Sequence, residues 1–417
     1  MARNRFRGDA PDVAQVRTFT ITAVAAAGTI TVTMNGKPVT YTVVGGDTVT
    51  TAGDNLVDLL SADSAPAEFR RVTWANASGV VTGTAATPGV PFTFSSTASG
   101  GTTTVSGTGT DTVASSGHWH WDDAKNWSLG TVPVSTDDVD IQDCSTDIRY
   151  GIGQSAVTLN SLNIDSTFTG KLGLPQQNSA GYYEYLATYL AIGATSCTIG
   201  AGTGSGSSML RIDFGSVQTN LLILNTSSAG TSGQPALWLK GTNASNVANV
   251  SGGQVGLAFD LGSSMTLATL NVTAGANAPP VVQYGAGLTL GAANVQAGRL
   301  YGLAGLTTLT QDGGEVTLTG LAAVNVTTAT VRGGRMYYDA TGTIGTLAAY
   351  ATGYVDFTRD ARAKTVTNCT AYGGSTVKDP MKHVTFTNPV SAPDGIAPYA
   401  KGGANLDLGL PINVQRS

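Results

Sequence analysis

Asn246 begins the stretch NVANVSGGQVGL, Leu267 begins LATLNVTAGANA, Leu290 begins LGAANVQAGRLYG and Thr327 begins TTATVRGGRMYY. All four share the core Asn-Val-x-[Gly/Ala]-Gly, with Thr replacing Asn in the last. Weaker copies are LTQDGGEVTL from Leu309, AYATGYVDF from Ala349 and CTAYGGSTV from Cys369. The turn glycines fall at Gly233, Gly253, Gly275, Gly298, Gly314, Gly334, Gly353 and Gly374, separated by 20, 22, 23, 16, 20, 19 and 21 residues. A period near that length, with two or three short strands per period, fits one coil of a parallel β-helix. Coils of this kind stack at about 4.8 Å. Val250, Val272, Val295 and Val331 are then expected at equivalent inward positions of successive coils. A helical repeat is excluded, because a Gly pair in every helix interior would cost about 1 kcal/mol per Gly. The leucine-rich frame L-x-x-L-x-L is absent, and an ordinary β-sandwich is the remaining alternative.

The rest of the chain agrees with an all-β class. Charged residues make up 12% of the 417, against about 25% in ordinary globular domains. Gly is abundant at 54 residues, and 41% of the chain is hydrophobic. Thr and Val suit pleated half-buried surfaces, and the spread of apolar residues argues against disorder. Net charge is −5, which suggests no broad nucleic-acid surface. No apolar run approaches a membrane span, and the charged start lacks the apolar core of a secretory signal. Cys144, Cys197 and Cys369 are odd in number and far apart, so free, mostly buried thiols are expected.

Five regions follow from these patterns. Residues 1–16 read as an extended anchoring arm, with Arg3, Arg5, Phe6 and Arg7 as candidate partner-binding residues. Residues 17–112 read as a small β-rich or α+β anchoring domain. In it TITVTMNGKPVTYTVV alternates around Asn35-Gly36, a hairpin signal. A helix is expected over Thr48 to Ala62, capped by Asp47, with Ala52, Leu56, Leu59 and Leu60 on one face. Strands are expected in FRRVTW, GVVTGT and PFTFSS, and the Gly/Thr/Ser run at 99–117 reads as turn and linker. Residues 113–156 form a Trp-rich cap, in which Trp121 and Trp127 are structural plugs for the open end of the stack. Residues 157–380 form the right-handed parallel β-helix, from about Val157 to Lys378. Residues 381–417, with four prolines after Lys382, read as an extended C-terminal tail.

Two of these regions resemble known proteins. The hairpin–helix–strand order of residues 17–112 resembles small modules of tailed-bacteriophage structural proteins, among them tail sheath and fibre components. The segment HWHWDDAKNWSLGTVPVSTDDVDIQ, residues 118–142, is similar to the leading segment of bacterial and phage β-helix proteins of the adhesin type. Its carriers are Trp121, Asn126-Trp127, Gly130, Val132-Pro133 and Asp137-Asp138-Val139. The resemblance implies a virion structural protein made in the host cytoplasm: a capsid decoration or head fibre, homotrimeric, attached to a capsid or tail protein through its N-terminal region. The alternatives are a tail fibre or tailspike for host attachment, touching host surface glycan, or a polysaccharide-cleaving β-helix enzyme.

Residues with chemical potential are few. Glycosidase chemistry needs two facing carboxylates, and Asp356 with Asp339 on neighbouring coils is the candidate pair. The run Asp137, Asp138, Asp140, Asp143 and Asp147 has oxygen ligands suited to calcium but lacks the EF-hand Gly and closing Glu. His118 and His120 have no third zinc ligand nearby. Tyr182, Tyr183, Tyr185 and Tyr189 offer either a sugar platform or packing. Arg7-Gly8-Asp9 reads as a turn in a basic arm. Asn-x-Ser/Thr sites such as Asn249 and Asn271 reflect composition. The expectation is a non-enzymatic protein with no cofactor, no metal, no nucleic acid and no membrane.

Overall fold

A computed structural model describes residues 3–174, 188–227, 234–397, 402–409 and 414–415. It is 48% strand and 5% helix, with a long parallel sheet of about 20 strands. Two parallel ladders run through it. In the first, Asp138–Ile141 pairs with Gly153–Asp165, then Leu190–Ala201, Asn220–Ile223, Val247–Val250, Met265–Val272 and onward to Lys364–Ala371. In the second, Leu210–Asp213 pairs with Leu237–Lys240, then Gln254–Leu257, Val281–Tyr284, Arg299–Gly302 and onward to Thr376–Lys378 and Asn405–Asp407. From Leu190–Ala201 to Lys364–Ala371 each strand pairs with the next but one, and the chain alternates between the ladders.

Alternation within each strand builds the core. One inward column runs Ile141, Ile164, Ile199, Ile223, Val250, Val272, Val295, Gln311, Val331, Ala349 and Ala371. The four valines named from the repeat share this column, and all are fully buried. Gln311 stands among them, also buried, its amide donating to Gly314 O and Arg335 O at 3.2 and 3.0 Å. A second column carries Leu162, Cys197, Leu221, Ala248, Leu270 and, further on, Leu347 and Cys369. A single apolar cluster extends from Phe6 to Leu408 between the two ladders.

The Asn of the repeat faces outward and has its own role. Asn294 Nδ2 donates to Asn271 Oδ1 at 2.9 Å, and Asn271 Nδ2 to Asn249 Oδ1 at 2.8 Å. The amides thus form a ladder of their own beside the backbone one. Turns of a few residues join the first ladder to the second. Gly253, Gly298, Gly314, Gly334 and Gly374 there take positive φ, a region that penalises a Cβ. Gly275 and Gly353 do not take positive φ. They are needed for closeness instead: a Cβ would lie 2.4 Å from Ser251 O and 2.3 Å from Val331 O, respectively. Gly233 lies outside the described residues.

The small domain packs two antiparallel sheets against one helix. Val72–Ala77, Val80–Ala85, Val16–Ala23 and Thr104–Val113 form the first sheet in that order, and Lys37–Thr42, Thr29–Met34 and Ser95–Ser99 the second. Asn35 and Gly36 make the expected two-residue hairpin turn, with φ of 49° and 74°. Three readings are corrected here. The helix is Val49–Ser61, and Thr48 caps it in a reciprocal pair with Thr51. Asp47 instead accepts from Val44 N and Tyr41 OH. Leu59 is exposed, while Ala52, Leu56 and Leu60 are buried. The run at 99–117 contains a ten-residue strand, Thr104–Val113, rather than only a linker. It is an edge strand with positive φ at Gly107 and Gly109, and register breaks of this kind erase the simple alternation.

The ladders also extend beyond the boundaries expected from the repeat. They start at Asn4–Arg5, which pairs with Asp138–Ile141. They continue past residue 380 into Val384–Phe386, Val390–Ser391, Asn405–Asp407 and Val414–Gln415. Pro389 and Pro393 flank the short strand Val390–Ser391, where no ladder N–H is needed, so they do not end the stack.

Cys197 and Cys369 are free and buried in the second column, and burial pushes both thiols up to about 12. Cys144 is free and only partly buried. A thiol reagent applied to the native protein is expected to modify Cys144 alone, with the other two reacting only after denaturation. Rapid native labelling of Cys197 would show that the stack is open at that rung.

Candidate interaction site at the capped end

A stack of parallel strands ends on an edge of unpaired backbone groups, and that edge needs a cover. Here the cover comes from two distant segments. Trp121 and Trp127 are both buried, with ring centroids 4.7 Å apart in an edge-on arrangement. Trp127 Nε1 donates to Trp121 O at 2.7 Å. Phe6 of the arm meets Trp127 edge-on at 5.3 Å and is itself buried. Asn126, fully buried, joins the parts: its amide donates to Gly117 O and His120 O, and its Oδ1 accepts from Ala10 N.

The arm lies on this cover as the first rung of the ladder. Asn4 pairs with Val139 and Arg5 with Asp140. Its opposite edge is also satisfied: Ser128 N donates to Arg5 O, Ser128 Oγ accepts from Arg5 N, and Arg7 N donates to Asn126 O. Arg3 forms an ion pair with the buried Asp140 at 3.0 Å. Arg3, Arg5, Phe6 and Arg7 of the arm are the candidate partner-binding residues of the sequence. The arm's backbone, Phe6 and Arg3 make contacts within the chain. Arg5 and Arg7 are exposed and line an open groove of about 640 Å³ with Arg3, Asp9, Gln142, Asp143 and Cys144. Gly8 turns the chain with φ of 66°, and Thr146 fills the place of a Cβ.

The acidic run does not converge. Asp137 accepts from Val134 N, Asp138 from Asn160 and Ser161, Asp140 from Arg3 and Asn163, and Asp147 from Arg149 and Lys171 N. Asp143 accepts from Gln142. The two histidines have separate roles: His118 Nδ1 lies 2.6 Å from Asp12, and His120 Nε2 lies 3.0 Å from Gly89 O of the small domain. Among the described residues, no group of three His, Cys, Asp or Glu side chains is placed to hold a metal. None of their helices is long and apolar enough to cross a membrane.

Two other polar clusters lie along the stack. Tyr182, Tyr183 and Tyr185 lie outside the described residues. Tyr189 is buried: its hydroxyl donates to Asp260 at 2.8 Å, and Lys240 Nζ sits 3.8 Å from its ring centre. Near the far end, Asp356 pairs in register with Tyr337, two residues before Asp339. Burial raises the Asp339 carboxyl above its usual range, and its Oδ1 has no hydrogen-bond partner. Asp356 is also partly desolvated, but hydrogen bonds from Thr358 and Tyr354 outweigh this and hold it below the usual range. Sequence spacing suggested this pair. The loop that returns over it, with Arg359 against the Tyr337 ring at 3.1 Å, carried no sequence signal.

No family model matches the chain, and a search of curated proteins finds no match.

Replacing Trp127 with Ala is expected to destabilise the protein by about 3–5 kcal/mol, the usual cost of removing a fully buried aromatic. An unchanged denaturation midpoint would show that the cap does not need this ring. Acid should act on the same region. Hydrogen bonds from Ser161 and Asn160 hold the Asp138 carboxyl below its ordinary 3.8. Its stabilisation is therefore present above about pH 4 and lost as pH falls through the lowered folded value. Asp138→Asn should flatten the loss of stability seen on acidification, and an identical acid profile would remove Asp138 from the cause.

Proposed function

We propose that the chain is a non-enzymatic structural protein of a bacteriophage particle, a capsid decoration or head fibre held through its N-terminal region. In this reading the parallel stack is a right-handed β-helix, since crossovers between parallel strands are right-handed in nearly all cases. Three copies associate, and the stacks point away from the shell. The observation that carries the reading is the asymmetry of the two ends. The arm, the Trp cap and the small domain all gather at the first rung. The remaining rungs, eleven along the inward column from Ile141 to Ala371, extend by roughly 50 Å at the spacing of paired strands. A rod with its specialised parts at one end is suited to attachment at that end.

Adding purified chain to particles that lack it provides the test. Electron microscopy should show it on the head, and sedimentation should give a trimer. Binding to host cells or tail tips with bare heads would replace this reading with the tail-fibre one. Binding to neither would overturn both.

The Asp339–Asp356 pair favours a second reading, a polysaccharide-cleaving enzyme on the same scaffold. One carboxyl is raised and the other lowered, the division of labour of a general acid and an ionised partner. Host surface glycans incubated with the protein are expected to release no new reducing ends. Sustained release, abolished by Asp356→Asn, would establish the enzyme instead.

A further inference from the structure

Arg3, Arg5 and Arg7 alternate along the extended start of the arm, so their side chains project to one side. Arg3 is taken by Asp140. Arg5 and Arg7 are exposed and form no ion pair or side-chain hydrogen bond among the described residues. Their backbone is nevertheless fixed from both edges by Asp138–Ile141, Ser128 and Asn126, and the Cys144 thiol donates to Arg7 O at 3.6 Å. Two unpaired guanidinium groups thus stand on a rigid rung beside an open groove.

We propose that this groove binds an extended segment of a partner protein that presents carboxylates on alternate residues, one to Arg5 and one to Arg7. The inference rests on the N-terminal attachment reading and names its chemistry. Alternate residues of any extended chain lie about 6.6 Å apart, so an acid-x-acid strand matches Arg5 and Arg7 in register. Each contact can be a planar two-point pair of the kind Arg favours. The chain already uses one such contact, where Asp140 lies beside the arm and receives Arg3. Asp9 and Asp143 line the same groove. Their charge opposes that of Arg5 and Arg7, which disfavours a continuous polyanion such as nucleic acid more than two discrete carboxylates.

Fluorescence anisotropy on the full chain tests this with three labelled probes. The first is a Ser/Thr-rich peptide with two glutamates on alternate positions. The second is the same composition with the glutamates adjacent, and the third is a single-stranded oligonucleotide. The alternate peptide is expected to bind, and to bind less as salt rises. The adjacent peptide should bind about tenfold more weakly, as should the alternate peptide to the double variant Arg5→Ser/Arg7→Ser, each partly exposed pair contributing a modest share. Arg70→Ser, at an exposed arginine of the small domain, should change nothing. No binding at about millimolar peptide, equal binding of the two peptides, indifference to the double variant, or preference for the oligonucleotide would each overturn the proposal. Peptide failure with intact head decoration would remove this groove and leave the phage reading standing. Peptide binding without decoration would do the reverse.

Discussion

A strand in a parallel stack satisfies half of its backbone groups on the rung before it and offers the other half to the rung after. Such a stack has no natural end, and whatever closes it must supply both hydrogen bonds and apolar cover. In this protein the first edge is closed by a strand from the arm, and that strand is closed in turn by Ser128 and Asn126. Phe6, Trp121 and Trp127 provide the apolar part. The inward columns behind them depend on this closure, because an open first rung would expose Val139 and Ile141 to water.

The same requirement explains the charges near the cap. A chain this poor in charge puts Arg3 against a buried Asp140 and Arg149 against Asp147 close to the first rungs. Further along, the outward face relies on neutral groups, and the Asn249–Asn271–Asn294 amides bond to one another from rung to rung. Neutral side-chain ladders tolerate repetition. A column of like charges at rung spacing would repel itself.

The repeat was legible because its period is enforced by turns and by inward branched residues, and both leave marks in sequence. The hairpin at Asn35-Gly36 was legible for the same local reason. Other features were not. Gln311 occupies a valine position, and only its donors to Gly314 O and Arg335 O make that tolerable. Thr104–Val113 looked like linker because its glycines bend it. Pro389 and Pro393 read as breakers because their positions beside Val390–Ser391 depend on register. At the candidate site, the buried aromatics and the arginine row could be read directly. That the arm and Asp138–Ile141 are neighbours could not, since nothing local connects them.

The placement of the small domain between the first rung and the second has a consequence for how the molecule comes to be built. Arg3 and Asp140 are 137 residues apart, so during synthesis the arm leaves the ribosome long before its pairing partner exists. A loop of that length closes at an entropic cost that a folded insert reduces, by holding its two ends near each other. The small domain, rich in short-range hairpin and helix contacts, is able to form first and bring the arm beside the newly made cap. The arm is thus made before the cap it closes and locked after it, and a nascent molecule is without its lid until the domain between them has folded.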